Sequence, residues 1–181
     1  MTVPPALSAA PSFNAELMAQ PAARAVRVVA LARLDEVTHG YELFLAGDPE
    51  GLHDLRVALR RLRTWLRAFR PLVEDTLKQK TWRRLRTLTR GTGKARDAEV
   101  GAAWVASQTG APLRAGAGFR DATARLERER DAALRTVRER LARDLPSLVA
   151  ALTKPLAVYF DRQTVDEPVV AESMADAAAA V

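Results

Sequence analysis

The run from His53 to Arg70, HDLRVALRRLRTWLRAFR, constrains the fold more than any other stretch of the chain. Wound at about 100° per residue, the α-helical period, it places His53, Arg56, Arg60, Arg63 and Arg67 on one stripe, with Arg70 at its edge. Leu55, Leu59, Leu62, Leu66 and Phe69 fall on the opposite side, flanked by Ala58 and Trp65. Such a segment has one face that must be covered by other apolar surface and one that must not be.

The rest of the chain supplies helices to cover it. From Pro21 to about Ala46, Val26, Val29, Leu31, Leu34, Val37, Tyr41, Leu43 and Phe44 recur at helical spacing, with Gly40 as a weak point. Gly47-Asp48-Pro49-Glu50 reads as a stop and restart, Asp48 capping and Pro49 opening the next helix. Pro71 ends or kinks that helix. A further helix is predicted over about Leu72 to Arg90, broken at Gly91-Thr92-Gly93 and resumed from Ala95 to about Gln108. Gly110 to Gly118 is expected as a loop, Phe119 to Asp144 as a helix of mixed charge, and Pro146 and Pro155 as breaks after it. Val169 to Val181 is suited to start another helix. No alternating strand pattern appears, so the expected fold class is all-α, an antiparallel helical bundle. The expected organisation is a mobile Ala/Pro/Ser-rich tail over residues 1–20, a helical domain over 21–160, and a tail or the start of a further, missing half over 161–181.

Charge is distributed unevenly. The net charge of the 181-residue chain is +6, yet residues 53–96 alone carry 14 Lys or Arg against 3 Asp or Glu. A solvated helix normally mixes its charge signs, because like charges at i,i+4 spacing destabilise it. Arg56, Arg60, Arg63 and Arg67 repel along one stripe with only Asp54 nearby, which points to a polyanionic partner. The ladder from Arg56 to Arg67 spans about 16 Å at 1.5 Å per residue, longer than a single phosphate. Lys80, Arg83, Arg90 and Lys94 share a face of the following helical stretch, with Arg84 and Arg86 beside it. Packed antiparallel, the two basic faces are expected to wall one groove. Arginine outnumbers lysine 24 to 4, and its planar fork grips phosphate oxygens in pairs, as ammonium does not.

Other chemistries find little support. With no cysteine, thiolate catalysis, disulfides and Cys-zinc sites are excluded. His39 and His53 are the only histidines, too few for a zinc site without clustered carboxylates. Gly91-Thr92-Gly93-Lys94 lacks the spacing of a phosphate loop and follows no strand. Arg96 and Asp97 are expected to order a turn there, Asp97 suiting a helix N-terminus. No apolar run approaches the roughly 20 residues that span a bilayer, and Met1-Thr-Val-Pro-Pro lacks the features of a secretory signal. No cofactor, metal, catalytic residue or membrane partner is expected, and cytoplasm is the default location.

His53-Asp-Leu-Arg-Val-Ala-Leu-Arg-Arg-Leu-Arg resembles the H-x-x-R-V-x-x-R-R-L-R signature of the CHAD (conserved histidine α-helical domain) family. Gly93, Arg96, Asp97 and Val100 are similar to its second motif, G-x-x-R-D-x-x-V, about forty residues on. The resemblance covers roughly Pro21 to Phe160. It implies a domain of two similar four-helix halves around a basic central groove, non-catalytic binding of inorganic polyphosphate, and association with polyphosphate granules. The polyphosphate-binding positions it implies are His53, Arg56, Arg60, Arg63 and Arg67, then Lys80, Arg83, Arg90 and Arg96. The second half of such a domain opens with another histidine motif, and no histidine follows His53 here. The chain is therefore expected to match one half only: a fragment, a truncated product, or a half-domain for which a second copy of itself is the partner completing the groove. The alternatives are a nucleic-acid-binding helical module and a dimerising scaffold. Against the former, the basic helices offer few aromatics for stacking and no Asn- or Gln-rich recognition pattern.

Overall fold

The computed structural model describes residues 15–108, 116–162 and 173–179. The tail before Ala15 and most of the loop expected over 110–118 lie outside the described residues. The helices are α1 (Ala15–Met18), α2 (Ala22–Ala46), α3 (Gly51–Ala68), α4 (Gln79–Ser107), α5 (Ala117–Arg162) and α6 (Met174–Ala179), with a 3₁₀ turn at Arg70–Leu72. Among the described residues there is no strand. The fold is an all-α bundle. Helices α2 to α5 run up, down, up, down, each packing on its neighbours in sequence, and α5 closes back on α2.

The α2–α3 hairpin is set by three glycines. Gly47 stops α2 in the left-handed region (φ 81°), where a residue without Cβ is unstrained. Its N–H donates to Phe44 O at 3.3 Å and that of Asp48 to Leu43 O at 3.1 Å, the paired bonds of a Schellman stop. Asp48 Oδ1 then accepts from the N–H of Glu50 at 2.8 Å and starts α3. Gly40 and Gly51 let the two backbones touch. A Cβ on Gly40 would lie 2.9 Å from Leu55 Cα, and one on Gly51 2.6 Å from Phe44 N. The position predicted as a weak point in α2 is its crossing point with α3.

The predicted apolar face of α3 is the core face: Leu55, Leu59, Leu62 and Leu66 are all 0% exposed. At that level, each buried leucine contributes roughly 1.5–3 kcal/mol of transfer free energy. Trp65 lies at the edge of this face, its ring 4.5 Å from that of Phe69. Its Nε1 donates to Val26 O of α2 at 3.0 Å.

Two expected breaks are absent. α4 begins at Gln79, after a turn over residues 70–78, and runs unbroken through Gly91-Thr92-Gly93 to Ser107. Glycine costs a helix interior about 1 kcal/mol against alanine. Here, burial of Leu85, Leu88, Thr92 and Ala95 on one row outweighs that cost. Arg96 and Asp97 therefore stand mid-helix, and the capping role expected of Asp97 does not arise. α5 likewise runs through Pro146 and Pro155. Each proline removes one i→i−4 bond, but Leu141, Leu145, Leu148, Leu152 and Leu156 continue one buried row past both. Tertiary packing wins over local propensity in both cases.

The chain ends also differ from expectation. The expected tail is packed from Ala15 on, with Leu17 buried against the core. The helix suited to the last stretch is α6, where Met174 is buried and its N–H donates to Gln20 O at 3.1 Å.

Candidate anion-binding site

The arginines of the described residues divide by what they touch. One set is engaged by the protein itself. Arg27, on α2 and only 5% exposed, donates from Nη1 to Ala23 O and from Nη2 to Thr76 Oγ1, both at 2.8 Å. It straps the turn before α4 onto α2. Arg138 on α5 sits 5.0 Å over the Phe44 ring and donates to Phe44 O at 3.3 Å, placing a cation at the negative end of α2. Arg84 joins α4 to α5 by donating to Asp144 O at 3.2 Å and to Ser147 Oγ. On α5, Arg125 pairs with Glu129 and Arg130 with Asp131. Arg143 pairs with Asp144 at 3.0 Å, and this bond holds the Asp144 carboxyl below the ordinary carboxylate range.

The other set faces outward unpaired. Among the described residues, no carboxylate lies within 4.0 Å of Arg56, Arg60, Arg61, Arg63, Arg67, Arg83, Arg86 or Arg90, although seven other ion pairs form. The α3 ladder is thus uncompensated, despite its internal repulsion.

The ladder's surroundings follow from helix register. α3 and α4 run antiparallel, and a groove of about 450 Å³ between them is lined by Arg63, Arg67, Arg70, Gln79, Trp82, Arg83 and Arg86. Five guanidinium groups therefore share one open surface. Arg70 is also tied to Glu74 at 3.1 Å and lies 5.9 Å over the Trp82 ring. Arg56, half-buried, continues the row toward the other end of α3, its Nε lying over Gly93 of α4. His53 is half-buried in the first turn of α3.

Not every expected site residue joins this groove. Arg60 is exposed on the α2 side of α3, beside Arg33, Arg61 and Trp65. Lys80 lies across α4, with Arg83, Arg84 and Asp144, and Arg90 lies there too, with Lys94 and Arg140. The α4 face read from the sequence therefore points mainly toward α5. Only Arg83 stands between both grooves. Arg96 is held by Glu50 at 3.4 Å, which ties α4 to the start of α3, and by Glu99 of its own helix at 3.2 Å, so its guanidinium is already paired. Conversely, Arg70 and Arg86 line the groove although they stand outside the expected binding set. Each lies three residues after a groove residue, Arg67 and Arg83, and this i,i+3 spacing was the available signal.

Among the described residues, no three His, Asp or Glu side chains come together as a metal site. No helix there is long and apolar enough to cross a membrane. No curated protein and no solved structure matches the chain. The CHAD domain family matches residues 28–181, covering the arginine ladder, the whole of α3, α4 and α5, and the segment beyond them. On that match, together with the all-helical bundle and the histidine–arginine helix at its surface, the chain belongs to the CHAD domain family.

Proposed function

We propose that this protein binds inorganic polyphosphate, without catalysis, along the groove between α3 and α4. Arg63, Arg67 and Arg83 form the centre of the proposed site. Arg70 and Arg86 flank it, and Arg56, with His53 at the head of the stripe, extends it along α3. The carrying observation is the split between arginines. Those that join helices, and Arg125, Arg130 and Arg143 on α5, have protein partners, whereas the groove set, apart from Arg70, has none among the described residues. Like charges gathered at an i,i+4 cost are most simply explained by an anion that restores the balance.

Length and composition favour a chain of phosphates over one. The row from Arg56 to Arg67 extends about 16 Å at 1.5 Å per residue, and guanidinium groups bind phosphate oxygens bidentately. On this reading, membership of the CHAD family supports polyphosphate as the anion and the polyphosphate granule as a site of association. A second copy of the chain, facing the groove from the other side, is the protein partner proposed.

Titration with long-chain polyphosphate at rising salt tests the proposal. Bound counterions are released when phosphates are neutralised, so binding is expected to weaken about fiftyfold from about 0.05 to 0.2 M salt for four neutralised phosphates. A salt-independent affinity, or no binding at low salt, would contradict it. Duplex DNA at matched charge is the competitor to include. Displacement of polyphosphate by DNA at equal concentration would favour a nucleic-acid module instead. Steady release of orthophosphate would contradict the non-catalytic part of the proposal.

A further inference from the structure

The far side of α4 carries a second basic depression of different chemistry. It lies between α4 and α5 and measures about 760 Å³, within the roughly 300–1,000 Å³ range of small-molecule sites. Its cations are Arg90, Lys94 and Arg140, and none of them pairs with a carboxylate among the described residues. Two acids on α5 are engaged elsewhere, Asp131 by Arg130 at 2.8 Å and Asp144 by Arg143 at 3.0 Å, and Glu139, next to Arg140 in sequence, lies outside the lining. Gly91 shapes the wall, because Arg140 Nη1 comes within 3.2 Å of where a Cβ would stand. With no side chain at Gly91, the Arg140 guanidinium can lie against the α4 backbone.

The floor separates this depression from the α3–α4 groove. The first groove is walled by arginines, Gln79 and Trp82. The second is floored by Ala95, Ala133 and Val137, with Ala132 at its rim, small side chains that leave an apolar trough beside the three cations. A bare phosphate chain gains nothing from alanine. A ligand that combines a compact polyphosphate with a flat, weakly polar body gains from both parts. Three unpaired cations also offset most of the negative charge of a triphosphate. We propose that the α4–α5 depression binds a nucleoside triphosphate, its phosphates on Arg90, Lys94 and Arg140 and its base over the alanine floor.

The inference stands independently of polyphosphate binding in the other groove. The test is isothermal titration of the whole chain with ATP, with inorganic triphosphate and with adenosine. ATP is expected to bind about tenfold more tightly than inorganic triphosphate, the gain coming from covered apolar surface. Adenosine alone is expected to bind more weakly than either. Lys94→Ser/Arg140→Ser should abolish ATP binding, and Ala132→Glu, at an exposed rim position, should weaken it at least tenfold. Arg135→Ser on the same helix should leave it unchanged, and retained helical circular dichroism would show that each variant folds. Equal affinity for ATP and inorganic triphosphate would overturn the proposal, as would no ATP binding, or ATP binding undiminished in the Lys94/Arg140 variant. Loss of long-chain polyphosphate binding with ATP binding intact would count against the other groove alone.

Discussion

Gly40 and Leu55 meet backbone to backbone, and that contact, with the one between Gly51 and Phe44, sets how closely α2 and α3 approach. With a Cβ placed 2.9 Å from Leu55 Cα, alanine at Gly40 must push the helices apart. Gly40→Ala is expected to destabilise the fold by about 1–3 kcal/mol, as overpacking does, even though alanine is the better helix former. Chemical denaturation followed by circular dichroism measures it; an unchanged or raised midpoint would contradict the close approach. Arg27 makes a related point about legibility. It is one of 24 arginines, yet it is buried and bonded to Thr76 across the turn before α4. Nothing in its local sequence distinguishes it from Arg24 or Arg33. Which arginines are internal fasteners and which face outward depends on contacts 49 or 60 residues apart, and periodicity within one helix does not carry that information.

Helix α3 was readable from its sequence because every signal in it agrees: leucines on one side, cations on the other, a stop signal before it and Pro71 after it. α4 was harder, because local propensity and packing disagree. Two glycines within three residues read as a break, while Thr92 between them is fully buried and keeps the helix in register with the core. This gives a direct check on continuity. A Cβ on Gly93 meets only Arg56 Nε, at 3.9 Å, an ordinary contact. Gly93→Ala is therefore expected to stabilise the protein by about 0.5–1 kcal/mol, the difference in helix propensity. A loss of stability in thermal unfolding would indicate that Gly93 sits in a turn after all. The same conflict recurs in α5 at Pro146 and Pro155. There, sequence reasoning stops the helix, and the row from Leu141 to Leu156 carries it on. The partition of the α4 cations between two grooves was hidden for a further reason. It requires knowing which flank of α4 meets α3 and which meets α5, and a helix wheel alone leaves that choice open.

At the scale of the molecule, the excess positive charge of residues 53–96 is presented mainly by α3 and α4. On the N-terminal part of α5, by contrast, Arg125 and Arg130 pair with acids of the same helix. The bundle uses α2, α5 and the leucine row of α3 to hold the basic helices in place, so the backbone positions of the ladder are set before binding. Preorganisation of that kind lowers the ordering cost of association. It also predicts that position, and not net charge, governs affinity for polyphosphate. The direct measurement compares two double variants with the same change in net charge, Arg63→Glu/Arg67→Glu in the α3–α4 groove and Arg125→Glu/Arg128→Glu on α5. Polyphosphate affinity is measured for both at about 0.1 M salt, where screening beyond about 10 Å suppresses distant charge. The groove variant is expected to lose about a hundredfold, two charge-assisted contacts at about 1.4 kcal/mol each, and the α5 variant less than about threefold. Equal losses in the two variants would contradict a defined site on α3 and α4.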